Sequence, residues 1–192
     1  MMDPAGLRKN VEAVRRRIDA AAKRVGRDPG DITLVAVTKY VTPPDIENLA
    51  LCGVKEVGEN RAVEGGERVR QVRAPLRWHM IGHLQTNKVR KALEWAEVVH
   101  SVDRLALADE LQKHLLRNNR NLSVFVQVNI SGEASKGGFR PEETPDVVRE
   151  LGRRAPLLRI EGLMTLAPEA GDVRPHFRGL RELGGRCGVR GL

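Results

Sequence analysis

Six times along this chain a short run of aliphatic and β-branched residues gives way to a stretch whose apolar positions recur every three or four residues. The runs fall at residues 32–39, 54–58, 77–82, 98–103, 123–130 and 157–166. A continuous apolar run predicts a strand buried on both faces, and an apolar stripe predicts a helix packed against it. Regular alternation of the two predicts an α/β fold with a parallel sheet and helices outside. A further helix precedes the first strand. Asp3-Pro4 opens it, Leu7, Val11, Val14, Ile18 and Ala21 form its apolar stripe, and it runs to about Arg24 before Gly26.

The other helices are expected over residues 43–51, within 61–74, from about 88 to Trp95, and over 104–117, 141–153 and 173–183. Gly65-Gly66 would weaken the second of these, and Gly162 would break the sixth strand. A loop is expected over residues 131–138. In a parallel sheet the polar residues at the strand C-termini converge at one end, where sites form. Those ends carry Lys39, Glu59-Asn60, Gly82-His83, Ser101 with Asp103, Asn129 with Ser131, and Met164-Thr165.

Lys39 follows Val35-Ala36-Val37 directly, so its stem should rise from an apolar interior. A lysine that condenses with an aldehyde must spend time as the free amine, and partial burial disfavours the ammonium form. The position suits a covalent aldehyde adduct, and pyridoxal phosphate is the commonest cofactor of that kind. Asn60, at the next strand end, is placed to hydrogen-bond such a ligand or, equally, to cap the following helix. His79 and His83 lie on a strand and its turn, which does not bring both rings to one metal ion. His100 and Ser101 point to opposite strand faces, and no nucleophile elbow accompanies them.

The 192 residues carry 33 Lys and Arg against 25 Asp and Glu, for a net charge of +8. That excess would suit an anionic partner, nucleic acid included. The basic residues are scattered and aromatics make up only 3%, so a stacking platform for single strands is hard to build. Cys52 and Cys187 fit neither a metal spacing nor a disulfide framework. No run is long and apolar enough to span a bilayer, and residues 1–13 lack a signal-type apolar centre, so a cytoplasmic protein without a membrane partner is expected.

Several stretches in order resemble the pyridoxal phosphate homeostasis proteins (the YggS/PROSC family). They are Val35-Ala36-Val37-Thr38-Lys39, Gly58-Glu59-Asn60, the run from Trp78-His79-Met80-Ile81-Gly82-His83 through Lys88, His100-Ser101-Val102-Asp103, Gln127-Val128-Asn129-Ile130-Ser131 and Gly162-Leu163-Met164-Thr165. The resemblance covers residues 5–183. It implies one domain over residues 1–192, a TIM-barrel-like fold similar to the N-terminal domain of alanine racemase. It implies pyridoxal 5'-phosphate held as a Schiff base on Lys39, with Asn60, His79 and Met164 near the cofactor. The implied role is vitamin B6 homeostasis without established catalysis, with cofactor-dependent apoenzymes as recipients and an oligomer compatible with it. A racemase-like enzyme is the alternative. It needs a second acid/base opposite the lysine, and the single tyrosine, Tyr40, adjoins Lys39.

A closed barrel of eight units usually takes about 250 residues, whereas six units are legible here. After Leu183 the resemblance stops, and residues 184–192 form an atypical tail without strand periodicity. The expectation is a truncated or frame-shifted barrel of about six units, with unpaired edges at the first and sixth strands. The family's phosphate cradle would be absent from it, and cofactor binding weak unless a partner chain completes the barrel.

Overall fold

The computed structural model describes residues 3–133 and 136–192. Residues 134–135, in the expected loop 131–138, lie outside it, as do Met1 and Met2. Six parallel strands form one sheet in the order β1 to β6: β1 Val35–Val37, β2 Glu56–Glu59, β3 Arg77–Met80, β4 Val98–Val102, β5 Leu122–Gln127 and β6 Leu158–Met164. The helices are α1 Pro4–Lys23, α2 Pro43–Leu51, α3 Ala62–Val69, α4 Val89–Leu93, α5 Leu105–Asn118, α6 Thr144–Arg154 and α7 Arg174–Cys187. The alternating pattern implies a parallel sheet, and each strand pairs with the next in sequence, the TIM-barrel-like arrangement that the family resemblance implies.

Strand alternation divides the sheet into two faces. The outer face carries Val57, Trp78, Met80, Val99, Val124, Val126 and Leu163, packed against Ile46, Leu107, Leu111, Leu151 and Leu180 of the helices. Burying each such side chain contributes about 1.5–3 kcal/mol, so this layer carries most of the stability. α1 starts as expected, because the Asp3 carboxylate accepts from the amides of Ala5 and Gly6 and so satisfies two free N–H groups of the first turn.

Several expected boundaries move. The sequence predicts a first strand buried on both faces over residues 32–39, but β1 spans only Val35–Val37 and Val37 is 50% exposed. β1 lies at one end of the sheet, so its inner face has no neighbouring strand on one side to cover it. β6 runs as one strand through Gly162 but carries a bulge beside it: Val124 pairs with Ile160 and Phe125 with Gly162, so Glu161 is the extra residue. α6 begins at Thr144 rather than residue 141, because residues 141–143 form a turn closed by Thr144 Oγ1 on the Arg140 carbonyl.

Gly65 and Gly66 do not weaken α3; they admit Trp95. A Cβ on Gly65 would stand 2.7 Å from the indole ring, whose Nε1 donates to the Ala62 carbonyl at 2.8 Å. The tail also departs from expectation. α7 continues to Cys187, and Gly191 then pairs in parallel with β6 at Gly162. Its amide donates to Glu161 O and its carbonyl accepts from Leu163, both at 3.0 Å. The β6 edge is therefore partly covered, and Gly162 lacks a side chain where the Gly191 carbonyl approaches; a Cβ would sit 1.9 Å from that oxygen.

Candidate cofactor site

The last ladder bond of β1 runs from the Thr38 amide to the Gly58 carbonyl at 2.9 Å, and Lys39 is the first residue beyond it. The pairing of Val37 with Gly58, and of Gly58 with His79, extends by register to a rim layer of Lys39, Asn60 and Ile81. Val35 lines the inner cavity of the sheet with His79, His100 and Phe125, so alternation sets Val37 and Lys39 on that same side. Lys39 is exposed, not partly buried as its strand context suggested. Its Nζ lies 5.3 Å from the centre of the Tyr40 ring, itself 85% exposed. The edge position explains both, since among the described residues no further strand pairs with β1 on its open side.

Thr38 and Glu59 point the other way, into the layer beneath α3. Thr38 Oγ1 donates to Glu59 Oε1 at 2.6 Å, and Arg68 of α3 pairs with Glu59 Oε2 at 2.8 Å. Burial raises the Glu59 pKa from the ordinary carboxylate value, while the Thr38 hydrogen bond and the Arg68 charge oppose the rise. Glu59 is thus not a rim group, although sequence position placed it beside Asn60 at the strand end.

Asn60 does not cap α3. That helix begins after Arg61, and its first turn has no side-chain cap. Asn60 instead borders a crevice of about 350 Å³ with Met80, His83 and Lys88. Gly82 presses on the Asn60 backbone, and a Cβ there would lie 2.2 Å from the Asn60 carbonyl oxygen. The β2–α3 and β3–α4 turns are therefore in backbone contact, and this contact fixes where Asn60 stands.

His79 lies one layer below the rim and is only 3% exposed. Its Nδ1 is 2.8 Å from His100 Nε2, so one ring donates to the other. Its Nε2 lies 2.7 Å from Glu56 Oε2, close enough for ion pairing although poorly angled for a hydrogen bond. His100 stacks on Phe125 with ring centres 4.6 Å apart. Burial lowers the pKa of both histidines to about 4, with the Arg77 charge adding to the shift on each and His79 adding to that on His100. The Glu56 carboxylate pulls His79 the other way. Burial dominates, because a neutral His79 already gives Glu56 an N–H neighbour and a second proton would sit between two buried rings. His79 therefore reads as a neutral floor.

Met164 ends β6 opposite Gln127, two residues beyond Phe125, which places it on the inner face at the rim end. Two rim groups expected separately prove to be partners: His83 Nδ1 lies 3.0 Å from Asp103 Oδ2, and Arg104 holds the other Asp103 oxygen at 2.5 Å. Ser101 is buried, with its hydroxyl unpartnered among the described residues. The register shift between Val99 and Val102 sets His100 and Ser101 together opposite Phe125, so the strict alternation expected of this pair does not hold. No sequence signal announced Arg68, which lies nine positions from Glu59, because its role depends on how α3 folds back over β2. Among the described residues no helix is long and apolar enough to cross a membrane.

Comparison with known proteins gives the family and the fold. Residues 7–182 match the family described as alanine racemase, N-terminal domain. The chain is 39% identical over 179 residues to the pyridoxal phosphate homeostasis protein of Aquifex aeolicus, covering 91% of this chain and 78% of that one. A Bifidobacterium adolescentis crystal structure superposes with a TM-score of 0.88 at 28% identity, over 95% of this chain and 80% of that one. PipY of Synechococcus elongatus, solved with pyridoxal phosphate bound, superposes with a TM-score of 0.71 at 26% identity, over 90% and 85% of the two chains. By sequence, strand order and fold alike, this chain belongs to the pyridoxal phosphate homeostasis protein family, built on the fold of the alanine racemase N-terminal domain.

Proposed function

We propose that this chain binds pyridoxal 5'-phosphate reversibly through the Lys39 amine and acts as a carrier in vitamin B6 homeostasis, handing the cofactor to apoenzymes. The observation that carries the reading is Lys39 itself: an exposed amine just past the last β1 ladder bond, in the same register layer as Asn60, with no ion-pair partner among the described residues. Pyridoxal phosphate, when bound, supplies an aldehyde carbon that condenses with a primary amine, a C=N bond forming as water leaves.

Four residues of the inner face and its rim would hold such a group, with His79 lining the inner cavity and Asn60 a neighbouring crevice. Asn60 offers a carboxamide N–H and a carbonyl to polar ring substituents, from a position locked by Gly82. His79 would support the ring from below as a neutral imidazole, with Nδ1 bonded to His100 and Nε2 facing the Glu56 carboxylate. Met164 would add an apolar wall at the end of β6.

Binding rather than turnover is favoured by the placement of Tyr40. Two-base racemisation needs an acid/base on the face opposite the lysine. The Tyr40 ring lies against the Lys39 amine itself and so does not provide an opposite face. Titration with pyridoxal phosphate, followed by visible absorbance, should give a saturable band for the wild-type chain and none for Lys39→Ala. Equal binding by both proteins would sink the reading.

A further inference from the structure

The carbonyl of Lys39 is held by a side chain rather than by the sheet. Arg68 donates through one guanidinium nitrogen to Lys39 O at 2.7 Å and through the other to Glu59 Oε2 at 2.8 Å. Glu59 is 0% exposed, and its second oxygen takes the Thr38 hydroxyl at 2.6 Å. Three elements are tied in this way: the end of β1, the end of β2 and the last turn of α3. The Val41 amide closes a turn on Thr38 O at 2.9 Å, so residues 38–41 form a short arch with Arg68 fastened to its crest.

A buried carboxylate needs a cation, and a lysine would meet that need. An arginine does more, because its planar fork can serve two acceptors at once. The second acceptor here is the backbone of the residue that carries the amine. We propose that Arg68 is a positioning residue for cofactor capture: with Glu59 and Thr38 as its anchor, it fixes the Lys39 backbone so that the amine is presented from a constant origin. The inference rests on the reading of Lys39 as the cofactor lysine. A simpler role, joining α3 to β2, would need only the Glu59 half of the contact.

Arg68→Lys separates the two roles, since an ammonium can pair with Glu59 but does not also span to Lys39 O. Two measurements apply, the rate at which added pyridoxal phosphate becomes reducible onto Lys39 and amide hydrogen exchange across residues 38–41. Arg68→Lys is expected to keep the wild-type circular dichroism and unfolding midpoint, slow capture about tenfold or more, and speed exchange at Tyr40 and Val41. Thr38→Val, which removes one anchor of Glu59 while leaving Arg68 in place, is expected to produce the same effects at about threefold; it carries the test if Arg68→Lys does not fold. A folded variant that matches wild type in both measurements overturns the proposal. If the wild-type chain takes no label at Lys39, the cofactor reading and the capture role fall together. Faster exchange in Arg68→Lys would then show the backbone clamp alone.

Discussion

Gly82→Ala puts one methyl group into a contact between two backbones. The new Cβ would stand 2.2 Å from Asn60 O, 2.7 Å from its Cα and 2.8 Å from its carbonyl carbon, against the 3.0 Å that Cβ contacts essentially never undercut. All three neighbours are backbone atoms, so no side chain can rotate away. The β2–α3 turn must therefore shift by roughly 1 Å, a strain that costs about 1–3 kcal/mol by the measure of overpacked interiors. Asn60 moves with the turn. Displacement on that scale at a ligand-binding group costs up to about a hundredfold in a step that depends on its placement. Urea unfolding should show the lower midpoint, and pyridoxal phosphate titration should show the weakened binding. A Gly82→Ala protein with wild-type midpoint and wild-type titration would refute the claim that Gly82 fixes Asn60.

Acid stability follows from the buried histidines. The pKa of His79 is lowered to about 4 from an unfolded value near 6.5, so the unfolded chain binds more protons between those limits. Stability should rise as pH goes from 4 to 6.5 and fall on acidification through the same window, by up to about 3 kcal/mol for His79. Urea midpoints at intervals across that range would show it, and a flat profile would contradict the neutral-floor assignment. Gly162→Ala should detach the chain terminus from β6, because its Cβ meets the Gly191 carbonyl at 1.9 Å. The expected signature is fast amide exchange at Leu163 and Gly191 with a loss of about 1 kcal/mol in stability; unchanged protection at both would show that the backbone adjusts.

Strand and helix placement were legible because each element carries its own periodicity, whereas the sequential order of the strands followed from the family resemblance. What could not be read depends on long-range packing. Gly65-Gly66 looks like a helix defect until Trp95, from the next βα unit, fills the space. Glu59 looks like a rim group until strand alternation turns it under α3 to meet Arg68. Val37 looks buried until β1 is found at an end of the sheet. The Gly191 pairing had no periodicity to announce it, since a one-residue bridge needs none. Of the site, Lys39 and Asn60 were singled out by strand ends and Met164 by resemblance, and register sets all three at one end of the inner face. His79 was placed by resemblance, and the structure sets it one layer down.

The account stands on the amine of Lys39 more than on any other group. Incubating the wild-type chain with pyridoxal phosphate, reducing with borohydride and mapping peptides by mass spectrometry tests it directly. The account predicts that the reduced cofactor is found on the peptide containing Lys39 and not on the other lysines. Label spread over surface lysines in proportion to their exposure, or no label, would contradict it.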